Sequence, residues 1–138
     1  MAESFFLHFP ARPEEVEPAL DAVATATGRA WEWTYPKNAD EPTLVLYRYD
    51  EVLREYEPET LERILAALGG PPPCTVAAEL RRAVQRRAAD DADTLTRGLL
   101  QRLGGVVVDV LDQCWTRAEI EHGVAKEGGR FMDEIRTR

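Results

Sequence analysis

Between Leu95 and Glu121 the chain passes from an apolar helical stripe through Gly104-Gly105 and Val106-Val107-Val108 to Trp115-Thr116-Arg117-Ala118-Glu119. No other stretch restricts the fold so tightly. Leu95, Leu99, Leu100 and Leu103 recur at three- and four-residue steps, as one buried face of a helix does. Paired glycines stop such a helix, because only glycine enters the left-handed region without steric cost. The β-branched run Val106–Val110 then reads as a buried strand. Thr116 and Glu119 have capping-box spacing: the hydroxyl accepts from a backbone N–H while the carboxylate reaches back to the cap. Trp115 before the cap and Ile120 after it are placed as a hydrophobic staple.

The remaining segments supply partners for that strand. Glu3–Phe9 alternates Phe5, Leu7 and Phe9 against Phe6 and His8, so both faces are apolar and a central position is expected. A helix is expected over Pro13–Thr27, with Val16, Leu20, Val23 and Ala24 inward, Glu14, Glu15 and Glu17 in its first turn, and Gly28 as its stop. Ala30–Tyr35 and Thr43–Tyr49 alternate as strands and form a hairpin around Pro36–Pro42. Glu59–Leu68 is a second helix closed by Gly69-Gly70, and Pro71-Pro72-Pro73 leads into a strand over Cys74–Val84. Asp90, Asp91 and Asp93 are expected to open the helix that ends at Gly104. The order βαββ, α, βαβ, α fits one α+β domain over residues 1–138. A mainly antiparallel sheet of about five strands with helices on one face is expected, and a ferredoxin-like topology with additions suits this order. The tail from about residue 124 is expected to be a loosely attached arm.

The net charge of −8 is confined to one half. Residues 1–70 hold fourteen acids and six cations, whereas the rest is balanced at eleven of each. An acidic surface repels phosphate backbones, which argues against nucleic acid and for a basic protein partner. No run approaches the length of a membrane span, and Met1-Ala2-Glu3-Ser4-Phe5 lacks the basic start of an export signal, so a cytoplasmic location is expected. In that compartment Cys74 and Cys114 are expected as reduced thiols. Lys37 and Lys126 are the only lysines; with the abundant alanine, the preference for Arg points to a GC-rich bacterial genome.

Candidate chemistry is sparse. His8 lies mid-strand, and His122 stands at a helix end near Glu119 and Glu121, where Asp109 and Asp112 would be needed to complete a metal site. A catalytic Cys114 would need His122 to activate it. Both sites are expected to be absent, and with no phosphate loop, dinucleotide fingerprint or nucleophile elbow in the chain, no cofactor and no catalytic residue are expected. Arg81–Arg87 carries four arginines but is followed at once by acids, so ion pairing within the chain is expected. Two surfaces remain. Asp50, Glu51, Glu55, Glu57, Glu59 and Glu62 form an acidic strip suited to a basic partner. Trp31, Trp33 and Tyr35 share one strand face that either joins the core or forms a ligand platform, the latter making the chain a small-ligand-binding or enzymatic domain.

The motifs Cys74-Thr75-Val76-Ala77-Ala78-Glu79-Leu80, Leu99-Leu100, Gly104-Gly105-Val106-Val107-Val108-Asp109 and Cys114-Trp115-Thr116-x-x-Glu119-Ile120 carry a family resemblance. Over about the last 65 residues the chain resembles an uncharacterised small actinobacterial protein family, which itself loosely resembles immunity proteins of polymorphic-toxin systems. It departs from that pattern where Arg81-Arg82 lead into a longer link. The resemblance implies a small α+β protein with no catalytic residue to carry over, and a non-enzymatic interaction module, in its sharpest form an immunity-type inhibitor of a basic toxin.

Overall fold

The computed structural model describes residues 3–138. Strand β1 (Glu3–Phe9) leads into α1 (Pro13–Val23), then β2 (Thr25–Ala26), β3 (Glu32–Tyr35) and β4 (Leu44–Arg48). A 3-10 turn (Asp50–Arg54) precedes α2 (Pro58–Leu68), followed by β5 (Cys74–Leu80), α3 (Gln85–Leu103), β6 (Val106–Val108), β7 (Cys114–Thr116), α4 (Arg117–Glu121) and α5 (Asp133–Arg136). All strands join one antiparallel sheet in the order β2-β3-β4-β5-β1-β6-β7. The α+β class is therefore as expected, with seven strands among the described residues in place of about five. Within the sheet, β4-β5-β1-β6 with α1 after β1 and α3 after β5 is the ferredoxin-like split β-α-β arrangement. The β2-β3 hairpin, α2 and the segment after β6 are additions to it.

Register decides which side chains share a face. Phe5 pairs with Ala78 and Leu7 with Val76 on β5, and Trp33 with Leu46 across β3 and β4. These residues meet Val16 and Leu20 of α1 and Ala88, Ala92, Leu95 and Leu99 of α3 in the main core. The alternate residues of β1 face the other way. There Ile64 of α2 packs with Val106, Val108 and Cys114 in a second, smaller cluster, so among the described residues α2 alone covers the opposite sheet face, where all helices were expected on one face.

Four local expectations are corrected. Helix α1 ends at Val23 and not at Thr27, because Thr25 and Ala26 pair with Thr34 and Trp33 as a short edge strand, and Gly28 lies in the turn that follows. Trp31 precedes β3 with φ 56°, outside the strand that starts at Glu32. Strand β5 stops at Leu80 and α3 starts at Gln85, not at Asp90, because Ala88, Ala89 and Ala92 continue the buried helical face. Alanine carries too weak an apolar signal for that periodicity to stand out in the sequence.

The C-terminal segment is the largest correction: it is docked, not loose. Phe131, Met132 and Ile135 are buried, with the Phe131 ring edge-on to Phe5 at 6.5 Å and near Trp115 at 5.8 Å. Arg136 binds Asp90, Asp93 and Asp133, and Arg138 pairs with Glu3. Lys126 donates to the Cys114 carbonyl at 2.6 Å, pairs with Glu119 at 3.1 Å and lies 4.8 Å from the Trp115 ring centre. Three apolar anchors and several partly buried ion pairs outweigh the entropy of ordering a short tail.

The helix stop and the cap have the expected form, but the strand ends at Val108 and not at Val110, and Cys114–Thr116 pairs with it as a further strand that the sequence did not suggest. The Gly104 N–H donates to Leu100 O at 2.9 Å, and a side chain at Gly105 would place its Cβ 2.3 Å from the His8 carbonyl oxygen. Both halves of the capping box are present: Glu119 N–H to Thr116 Oγ1 at 3.2 Å and Thr116 N–H to Glu119 Oε1 at 2.9 Å. One polar group in the main core is unsatisfied. Thr96 of α3 is fully buried and its hydroxyl has no partner among the described residues. Thr96→Val keeps the shape and removes the orphan hydroxyl, so urea denaturation should show a gain of about 1 kcal/mol. A loss of stability would mean that the hydroxyl is satisfied after all.

Among the described residues no helix is long and apolar enough to cross a membrane.

Candidate functional site: an acidic strip beside an aromatic ribbon

The six acids of the strip run from the 3-10 turn (Asp50, Glu51) through the link after it (Glu55, Glu57) into α2 (Glu59, Glu62), but they are not equivalent. Asp50 is half-buried and committed: Oδ1 accepts the Thr75 N–H at 2.8 Å and Oδ2 accepts the Arg48 guanidinium at 2.9 Å. It ties the turn to the start of β5. Glu51, Glu55, Glu57, Glu59 and Glu62 are exposed. Glu55 accepts the Tyr49 hydroxyl at 3.0 Å, and none of the five is ion-paired among the described residues. Glu57 and Glu59 lie at the N-terminus of α2, where they also complement the helix dipole. Glu59 and Glu62, three residues apart on one helix side, line a shallow depression of about 390 Å³ with Arg63 and Ala66.

Several acids in the second half of the chain are used differently. Asp90, Asp93 and Asp133 hold Arg136, Glu119 holds Lys126, and Glu121 holds Arg117. Of the Arg81–Arg87 cluster, Arg81 donates to Pro42 O at 2.9 Å and Arg87 pairs with Glu41 at 3.5 Å, so part of it is spent within the chain.

Next to the strip, the second sheet face carries an aromatic ribbon that the sequence does not announce. Tyr47 and Tyr49 lie 6.3 Å apart, Tyr49 and Phe6 6.4 Å, Phe6 and Tyr56 6.3 Å, and Tyr56 and His8 5.5 Å, all between ring centres. Tyr47, Tyr49, Phe6 and Tyr56 are half-buried. They come from β4, the residues flanking the 3-10 turn and β1, so only the β4-β5-β1 strand order brings them together. The one usable signal was Tyr47 and Tyr49 at a period of two, with Phe6 and His8 repeating it on another strand. Tyr47 donates to Glu79 Oε1 at 2.9 Å, and burial together with that carboxylate pushes its phenol up to about 12.

His8 seals the inner end of the ribbon. Its Nδ1 is 2.8 Å from Thr75 Oγ1 and its Nε2 2.7 Å from the Tyr56 hydroxyl, with no exposure to solvent. Burial lowers its pKa from 6.5 to about 4, with the nearby Asp50 only partly opposing this. The folded chain thus refuses a proton that the unfolded chain accepts. The stabilisation is complete above pH 6.5 and is lost as the pH falls from 6.5 towards 4. On that basis lowering the pH from 7 to 4.5 should remove about 2–3 kcal/mol through His8 alone. NMR titration of the imidazole should show a midpoint near 4, and a midpoint at the ordinary histidine value would contradict the sealed environment.

The other candidate groups do not assemble into chemistry. Trp33 is 2% exposed and donates to Asp21 at 2.8 Å, so it is core. Trp31 stacks edge-on against it at 5.6 Å beneath the Arg48 guanidinium, 4.9 Å away. Tyr35 is half-buried and lies against α1 and α3 instead. The three aromatics therefore do not form one open platform. Cys74 and Cys114 are free, buried thiols; burial pushes Cys74 up to about 11 and raises Cys114 as well, the opposite of what a nucleophilic thiolate needs. His122 is exposed at the end of α4, whereas Cys114 faces Ile64 in the smaller cluster. Asp109 accepts from Leu111 N–H, Gln113 N–H, Gln113 Nε2 and Trp115 Nε1, which uses its lone pairs structurally. Among the described residues no three His, Cys, Asp or Glu side chains are grouped to hold a metal ion.

Neither a protein-family model, nor a curated protein, nor a solved structure matches the chain.

Proposed function

We propose that the chain is a non-enzymatic protein-interaction module whose acidic face on the 3-10 turn and α2 binds a basic protein partner. In its specific form it is an immunity-type inhibitor that works in the cytoplasm and blocks a basic toxin by occlusion. The observation that carries this reading is the unequal use of carboxylates. Glu51, Glu55, Glu57, Glu59 and Glu62 stay exposed and unpaired among the described residues, while Asp90, Asp93, Glu119, Glu121 and Asp133 of the second half are committed to arginines and a lysine. Unspent like charges repel one another and lower stability slightly, a cost that a cationic partner reverses. The neighbouring Tyr49 and Phe6 add half-buried aromatic area of the kind that anchors interfaces and stacks on arginine. The competing reading, a ligand or catalytic face on Trp31 and Trp33, has little to stand on when Trp33 is core.

Site-specific photocrosslinking in the native host tests the proposal. A crosslinker at Glu62 should capture one basic protein, and the same group at Arg86, which lies outside the strip, should not. Equal capture from both positions, or capture of an acidic protein, would overturn the reading.

A further inference from the structure

Helix α3 carries Gly98 in its interior, on the exposed side. Glycine weakens a helix relative to alanine, so its presence there calls for a reason. Its φ is not in the left-handed region, and a Cβ built on it would meet nothing within 4 Å. Neither backbone conformation nor close packing requires it. What the missing side chain leaves is an apolar depression of about 230 Å³ between α1 and α3. Val23, Leu95 and Leu99 line it, together with Tyr35 and Arg102.

We propose that this depression is a binding site for a small aromatic carboxylate, its ring seated over Gly98 and its carboxylate on the Arg102 guanidinium. The size fits: an apolar cavity of roughly 150 Å³ already accepts a benzene ring. Charge fits as well. Arg97 and Arg136 are held by carboxylates, whereas Arg102 is exposed and unpaired among the described residues. Tyr35 adds a hydroxyl that burial and the nearby Asp91 keep protonated, hence a donor, and Asp91 itself is engaged by Thr43 at 2.6 Å. Val23 is 36% exposed, an apolar surface left open on this wall. The site is separate from the acidic strip, so the two proposals stand or fall independently.

The test is an amide NMR titration of the full chain with phenylacetate and with 2-phenylethylammonium, which has the same ring and the opposite charge. Phenylacetate should shift the amides of Val23, Gly98 and Leu99 saturably, with a dissociation constant on the order of 0.1–1 mM for about ten heavy atoms. The ammonium probe should bind at least tenfold more weakly. Arg102→Gln should weaken phenylacetate about tenfold. Gly98→Leu should abolish its binding without lowering Tm, and Gly98→Ala should weaken binding while raising Tm. Equal binding of the two probes, phenylacetate binding unchanged in Gly98→Leu, no saturable shift at these amides, or a fall in Tm for Gly98→Ala would each overturn the proposal.

Discussion

Replacing Asp109 by alanine is expected to cost about 3–4 kcal/mol, more than any single surface substitution in the chain, because it strands the buried Trp115 indole N–H and removes three part-buried bonds with it. The carboxylate is buried in the loop between β6 and β7. Oδ1 accepts the Leu111 and Gln113 N–H groups, both at 2.9 Å, and Oδ2 accepts Trp115 Nε1 at 2.8 Å and Gln113 Nε2 at 3.1 Å. Without it the Trp115 indole N–H, on a residue 1% exposed, loses its acceptor. The loop would lose the bonds that shape its turn, and Asp112, at φ 59° within that turn, would lose the frame that holds it there. Asp109→Asn should cost about half as much, because one oxygen still accepts while the amide nitrogen opposes the remaining donors. Thermal denaturation followed by tryptophan fluorescence should show the alanine variant melting roughly 10 °C or more below the parent. A change below about 1 kcal/mol would mean that the four bonds are worth little and that β7 is held by packing alone.

The segment that contains Asp109 also shows what the sequence could and could not disclose. Gly104-Gly105, the valine strand and the Thr116–Glu119 box are local devices, and the structure carries the stop and the box as expected and the strand in shorter form, ending at Val108. Asp109 was legible only as a would-be metal ligand, because the four donors it accepts from are brought to it by a loop conformation that spacing does not reveal. The docked tail was hidden for a similar reason. Phe131, Met132 and Ile135 show no clear period, and their burial depends on where α3 and Trp115 lie in space. At the candidate site, the exposed glutamates could be read from charge density. The separate role of Asp50 could not, since its partners Arg48 and Thr75 lie on two different strands. The aromatic ribbon depends wholly on the β4-β5-β1 strand order. Alternation along Tyr47-Arg48-Tyr49 fixes a face; only the topology decides what lies beside it.

Neutralising the strip is expected to have the second large effect, this time on recognition. A variant carrying Glu51→Gln, Glu55→Gln, Glu57→Gln, Glu59→Gln and Glu62→Gln removes five exposed negative charges and leaves Asp50, which braces the turn, in place. Loss of the dipole contribution at Glu57 and Glu59 should cost no more than about 1 kcal/mol of stability each, so the fold survives. Attraction between complementary charged surfaces raises association rates by about 10–1,000-fold at low salt and fades with ionic strength. The variant should therefore associate at least about tenfold more slowly with the basic partner, while dissociation changes less. The decisive measurement is the association rate of parent and variant, by stopped-flow mixing with the purified photocrosslinked partner, over a range of ionic strength. The account predicts a steep fall in the parent rate as salt rises, and a slower, nearly flat rate for the variant. Equal rates with equal salt dependence would contradict it.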